Sequence, residues 1–116
     1  MSRDRWHLLR EDGALTLSRV VPVRFDVAAE ATFPPLRKTV LAHEIRKDLW
    51  RALRGLRGFA PAIRVAEAAG GLRVRAGGRV AGPLPPRGAT EAVIADLMAD
   101  PARRRRWIAH SARCRR

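Results

Sequence analysis

The sequence predicts a single α+β domain in which helices cover one face of a mostly antiparallel, four-stranded sheet. Two segments alternate apolar and polar residues around a turn signal, and the segment between them spaces its apolar residues by three or four. The chain has 116 residues, a common size for a domain with one core. Because each hairpin and each amphipathic helix has one apolar face to bury, a two-layer fold in the order ββαββα is the simplest solution.

The first hairpin is predicted over residues 6–26, with Asp12-Gly13 as its turn. Its second arm is predicted to run from Leu15 to Asp26, because apolar residues alternate along it. Pro22 has no backbone N–H, so this arm is expected to be an edge strand or to be broken there by a bulge. The next residues, Ala28–Thr32, are predicted to form a loop.

A helix is predicted over residues 35–57. Pro35 suits the first turn of a helix, and Gly58 follows as a stop signal. One stripe of this helix is apolar and is expected to face the core; it contains Leu41, Ile45, Leu49, Ala52, Leu53 and Leu56. The opposite side is basic.

A second hairpin is predicted over residues 62–76, with its turn at Gly70-Gly71. Gly77-Gly78 also has the composition of a hairpin turn rather than of a phosphate-binding loop, because no strand-to-helix motif surrounds it. A stiff, proline-rich connector is expected over residues 82–87.

The C-terminal part is predicted to form helices over residues 90–110. Thr90 is a candidate N-cap of one helix. Asp100 is a candidate N-cap of a second helix that begins at Pro101, so two short helices are favoured over one long one. The domain is expected to span residues 1–111, followed by a basic tail, 112–116, that frays.

The composition is strongly basic. The 24 basic and 11 acidic residues give a formal net charge of +13, which favours an anionic partner. All basic residues except Lys38 and Lys47 are arginine, a bias that GC-rich coding can produce, so the excess of charge is the stronger signal. The sequence contains neither a signal-peptide pattern nor an apolar run that could span a bilayer, and we expect a soluble, cytoplasmic protein.

No catalytic residue, metal site or cofactor is predicted. The three histidines lie in distant segments, and His43-Glu44 fails as a zincin motif because Lys47 stands where the second histidine is required. Cys114 is the only cysteine and has no second thiol with which to form a disulfide.

Three basic groups are the candidate binding residues. The helix surface is formed by Arg46, Lys47, Trp50, Arg51, Arg54 and Arg57. The strand surface is formed by Arg64, Arg73 and Arg75, which alternate with inward apolar residues. The basic arm is formed by Arg103, Arg104, Arg105 and Arg106 together with Arg113, Arg115 and Arg116 of the tail.

Each candidate has an ordinary structural alternative. Trp50 is either available for stacking or covered by another element, whereas Trp6 and Trp107 are expected in the core. The strand arginines either contact a ligand or simply form a solvated face.

The leading functional hypothesis is a non-enzymatic protein that binds nucleic acid, DNA or RNA, with little sequence specificity. The second hypothesis is an adaptor or regulatory subunit that docks its basic surface on an acidic patch of a larger protein assembly, with Trp50 as anchor. The sequence leaves open whether the chain is a monomer or a homodimer.

Overall fold

The computed structural model describes residues 6–112, which form five strands and three helices. The strands are β1 (His7–Glu11), β2 (Ala14–Ser18), β3 (Val27–Phe33), β4 (Phe59–Ala68) and β5 (Gly71–Val80). The helices are α1 (Lys38–Ala52), α2 (Arg87–Ala99) and α3 (Pro101–Ser111). One sheet contains the strands in the order β1-β2-β4-β5-β3, with every neighbouring pair antiparallel. The α+β class is confirmed, whereas the predicted number of four strands is wrong.

The additional strand is β3, which occupies the segment predicted as a loop. The predicted second arm of the first hairpin ends at Ser18, and residues 19–26 pass the ends of β4 and β5 before β3 begins. Pro22 lies within this crossing segment, where its missing N–H leaves no gap in the hydrogen-bonded ladder. The composition of Ala28–Thr32 does not indicate a strand, because alanine has little β preference.

Pairing with β5 and contacts from the helices explain why β3 nevertheless forms. It pairs with β5 over its whole length, and α2 packs beside it where Ala29 and Ala31 face the helices. The carboxylate of Glu91 accepts the backbone N–H of Ala28 at 2.8 Å. Arg104 donates to the backbone oxygen of Thr32, also at 2.8 Å. Helices α2 and α3 therefore satisfy backbone groups that the edge of a sheet would otherwise leave open.

Helix α1 connects β3 to β4, and β5 lies between these two strands in the sheet. One sheet face is packed against the helices, with Leu17, Ile63 and Val74 each at most 1% exposed. The apolar stripe of α1 covers this face as predicted, since Leu41, Ile45 and Leu49 are fully buried; Ala52 at its end is exposed, and Leu56 lies beyond the helix. The opposite sheet face carries the predicted strand surface.

The bounds of several elements differ from the predictions. Helix α1 begins at Lys38 rather than at Pro35, and ends at Ala52 because turns containing Gly55 and Gly58 follow it. Gly77 lies inside β5 rather than in a turn, and an added Cβ would come within 1.9 Å of the backbone oxygen of Val27. The close approach of β3 therefore requires glycine at this position.

The ends of the C-terminal helices were predicted in part. Asp100 caps α3 as predicted, accepting the backbone N–H of Arg103 at 2.9 Å. Thr90 is not an N-cap, because α2 begins at Arg87 and buries Thr90. Residue Cys114 and the rest of the predicted tail from 113 onward lie outside the described residues. Among residues 6–112, no helix is long and apolar enough to cross a membrane.

A buried carboxylate joins the first and last helices. Asp48 of α1 is 6% exposed and accepts a hydrogen bond from the Trp107 indole at 2.7 Å. Arg106 of α3 donates to the same carboxylate oxygen, and Arg51 donates to the other at 3.2 Å. Burial of a carboxylate is costly unless donors surround it, and here three donors do so. Trp107 is fully buried, which agrees with its predicted place in the core.

Replacing Asp48 should therefore destabilise the fold. We expect Asp48→Ala to lower the free energy of unfolding by about 3 kcal/mol, because the buried indole N–H and the Arg106 guanidinium lose their acceptor. Asp48→Asn keeps one acceptor oxygen and should cost less. Urea unfolding measures both, with the exposed Asp96→Ala as the matched control, expected within about 0.5 kcal/mol of the parent. Equal stability of Asp48→Ala and Asp96→Ala would contradict this role.

Candidate nucleic-acid interface

An open groove of about 730 Å³ lies between the C-terminal half of α1 and the start of β4. Its lining combines two indoles, two guanidinium groups and an apolar floor; the residues are Trp6, Arg19, Val20, Arg46, Trp50, Gly58, Phe59 and Pro61. Trp50 is 45% exposed, so another element does not cover it. The neighbouring Val21 is also exposed, which adds apolar surface next to the groove.

Trp6 contributes an indole that already contacts arginine. The guanidinium carbon of Arg46 lies 4.8 Å from the centre of the Trp6 ring, and that of Arg19 lies 5.9 Å away. Both distances are in the range of cation–π contacts. Trp6 is half-buried against the core, so the prediction that it belongs wholly to the core was incomplete. The groove therefore brings together aromatic faces and positive charge.

The predicted helix surface divides into two sides. Arg46, Trp50 and Arg54 follow one another at intervals of four residues, and the first two line the groove. Lys47 and Arg51 instead pair with acidic residues of the same helix, Glu44 at 3.1 Å and Asp48 at 3.2 Å. These two basic residues belong to the junction with α3. Arg54 and Arg57, which follow α1, are exposed, and neither has an ion pair within residues 6–112.

The strand surface lies on the sheet face that the helices leave uncovered. Arg64 and Arg75 stand directly opposite each other on β4 and β5. Each has an acidic partner: Glu11 lies 3.3 Å from Arg64, and Glu30 lies 3.0 Å from Arg75. Arg73 is exposed and forms no ion pair with the described part of the chain. The three arginines thus share one open face, but two of their charges are locally balanced.

The described part of the basic arm, Arg103–Arg106, does not form one surface. Arg104 contacts β3. It donates to the backbone oxygen of Thr32, and its guanidinium carbon lies 4.1 Å from the centre of the Phe33 ring. Arg106 binds Asp48, and Arg103 forms an ion pair with Asp100 at 3.6 Å. Arg105 is exposed and has no ion pair within residues 6–112. Three of the four described arginines of the arm therefore bond to groups within the fold, and Arg113, Arg115 and Arg116 lie outside the described residues.

Trp6 and Arg19 are not among the binding residues that the sequence predicts. Both lie far from α1 along the chain, and only the pairing of β2 with β4 brings the first hairpin beside Pro61 and Trp50. Trp6 was assigned to the core for its size, and Arg19 lay in a predicted strand arm. The one available signal was the presence of an aromatic residue next to basic ones near the N-terminus.

His43 supports the orientation of Arg46 at the edge of the groove. The Nε group of Arg46 donates to Nδ1 of His43 at 3.3 Å, which requires that nitrogen to be unprotonated. Burial lowers the pKa of His43, and the positive charges of Arg46 and Lys47 lower it further. The neutral form is therefore favoured in the folded protein.

The unfolding free energy should consequently depend on the protonation of His43. Between the lowered folded pKa and the unfolded pKa near 6.5 the unfolded chain binds more protons, so stability falls as the pH is lowered through this range. Urea unfolding at neutral and mildly acidic pH should show a smaller loss for His43→Gln, whose amide oxygen can accept from Arg46 without titrating. An identical loss in the parent and in His43→Gln would contradict the assignment.

The groove presents the exposed indole of Trp50 beside apolar side chains and the positive charges of Arg19 and Arg46, whose guanidinium groups lie over the Trp6 ring. Within residues 6–112 no cluster of three or more histidine, cysteine or acidic side chains could hold a metal ion. Comparison with protein-family models, curated proteins and solved structures found no match, so neither a family nor a relative's activity bears on what this groove binds.

Proposed function

We propose that this protein binds single-stranded nucleic acid, with little sequence preference, through the groove between Trp6 and Trp50. The observation that carries the proposal is the position of Trp50, 45% exposed on a strongly basic chain and in one groove with Trp6, Arg19 and Arg46. Single-stranded nucleic acid combines the two chemistries that this groove can accept, unstacked bases and phosphates.

Stacking would supply the contact with the bases. The exposed indole of Trp50 lines the groove together with the apolar residues Phe59 and Pro61. Every base has an aromatic face, so stacking of this kind tolerates any sequence. Bases within a duplex are already stacked on each other and cannot reach a side chain in a groove, which favours single strands.

Positive charge would supply the contact with phosphates. Arg54 and Arg57 follow Trp50 in the chain, are exposed, and have no acidic partner among the described residues. The strand surface is a weaker phosphate site, because Glu11 and Glu30 balance two of its three charges. The groove and the arginines after α1 are therefore the principal surface in this proposal.

Trp50→Ala should weaken binding of a labelled single-stranded oligonucleotide of about 12 nucleotides by roughly tenfold, since stacking contributes about 1–3 kcal/mol per base. Fluorescence anisotropy measures the affinity. Val93→Ala is the matched control, because Val93 is similarly exposed, at 44%, but lies on α2 and does not line the groove. A double-stranded oligonucleotide should compete poorly. Equal binding by the two variants would overturn the groove as the site.

The dependence of the binding affinity on salt concentration distinguishes base stacking from phosphate contact. Replacing Arg54 or Arg57 with alanine should reduce the slope of log affinity against log salt concentration by about one for each phosphate that the protein no longer neutralises. Trp50→Ala should lower the affinity and leave that slope unchanged. If an acidic polypeptide such as polyglutamate binds as tightly as the oligonucleotide, and Trp50→Ala affects both equally, the groove is a site for an acidic protein surface instead.

A further inference from the structure

The two edges of the sheet differ in whether other elements bond to their outward backbone groups. At the β3 edge, Glu91 and Arg104 occupy backbone groups of Ala28 and Thr32. At the β1 edge, Leu8, Leu9 and the two residues after them are exposed, and within residues 6–112 no strand lies beyond β1 in the sheet. Uncovered edges of this kind pair readily with another strand. The β1 edge is therefore available in a way that the β3 edge is not.

The hydrogen-bond pattern determines which groups β1 presents. Gly13 accepts from Glu67, and Arg19 donates to Pro61, so odd-numbered residues of β2 bond to β4. Even-numbered residues of β2 then bond to β1, where their partners are His7, Leu9 and Glu11. The N–H and C=O groups of the remaining two residues, Leu8 and Arg10, point away from the sheet. Four backbone groups are thus open at this edge.

Only one antiparallel register lets all four groups bond between two copies of β1. In that register Leu8 lies opposite the partner's Arg10, and Leu9 lies opposite the partner's Leu9 on the two-fold axis. His7 then faces the partner's Glu11 on the same sheet face, which places an acidic side chain beside an imidazole. A shift by one residue in each strand would place Arg10 opposite the partner's Arg10. In the register with Leu9 on the two-fold axis, the edge is self-complementary in backbone hydrogen bonding, and no like charges lie directly opposite each other.

We propose that two copies of this chain pair through their β1 strands, in the register centred on Leu9, to form one continuous ten-stranded sheet. The exposed Leu9 side chains meet at the centre, and Leu8 of each copy packs over the aliphatic part of the partner's Arg10. The two strand surfaces then lie on the same face of the extended sheet. This inference is independent of whether the groove binds nucleic acid.

Net charge opposes this pairing and provides a test of it. Each copy carries a formal charge of +13, so the two repel at low ionic strength and salt screens the repulsion. Sedimentation equilibrium should therefore show more dimer as sodium chloride is raised from about 0.05 to about 0.5 M. Nucleic-acid binding should change in the opposite direction over the same range. A chain that stays monomeric throughout overturns the proposal.

Cysteine crosslinking tests the register. Leu9 and the partner's Leu9 form a non-hydrogen-bonded pair with Cα atoms about 4.5 Å apart, within the range that a disulfide spans. Two Leu8 residues would lie about 8 Å apart, which is too far. In a Cys114→Ser background, Leu9→Cys should yield a covalent dimer on mild oxidation and Leu8→Cys should not. Equal crosslinking of both variants would reject this register.

Proline at position 10 tests the backbone bonds. Arg10→Pro removes an N–H that faces outward, so pairing with β2 is kept while the bond to the partner's Leu8 cannot form. We expect Arg10→Pro to be monomeric at salt concentrations where Arg10→Ala, which keeps the N–H, is dimeric. Circular dichroism establishes that both variants are folded. Dimerisation by folded Arg10→Pro to the same extent as Arg10→Ala would show that another surface is responsible.

Discussion

The hydrogen bonds that converge on Asp48 join the first and last helices on the helical side of the sheet. Through Trp107 and Arg106, this carboxylate fixes α3 against α1. The same indole packs 6.2 Å from the ring of Phe33 at the end of β3. Arg104, one turn before Trp107 on α3, donates a hydrogen bond to the backbone oxygen of Thr32 in β3. A single buried charge on the first helix thus positions the last helix, and the last helix in turn holds an edge strand that has little intrinsic preference to form.

The arginines of this chain have two kinds of role. Arg104 and Arg106 are ligands of backbone and carboxylate oxygens within the fold, where the planar guanidinium can donate several bonds at once. Arg54, Arg57 and Arg73 remain exposed with no acidic partner among the described residues. Net charge alone does not distinguish the two groups. Three of the four arginines Arg103–Arg106 bond to groups within the fold, whereas Arg54, Arg57 and Arg73 provide positive charge that no described acidic residue balances.

The class, the core stripe of α1 and the cap of α3 could be predicted because each depends on residues close together in the sequence. Leu41, Ile45 and Leu49 repeat with the helical period, and Asp100 immediately precedes Pro101. Strand β3 could not be predicted, because its stability comes from distant contacts with β5 and α2 and not from its alanines. The groove has the same origin: Trp50 was singled out, but its partners come from the first hairpin and from β4.

The strand order has a consequence for the growing chain. Strands β2 and β3 are made early, yet their partners β4 and β5 form the centre of the sheet and are complete only at Val80. During synthesis on a ribosome, the first half of the chain therefore emerges with a hairpin and a helix but with no sheet to join. Its apolar residues, Leu15, Leu17 and Phe33 among them, lack their native neighbours on β4 and β5 until the second hairpin has been made. The central hairpin is the element to which both flanks of the sheet are hydrogen-bonded, β2 on one side and β3 on the other.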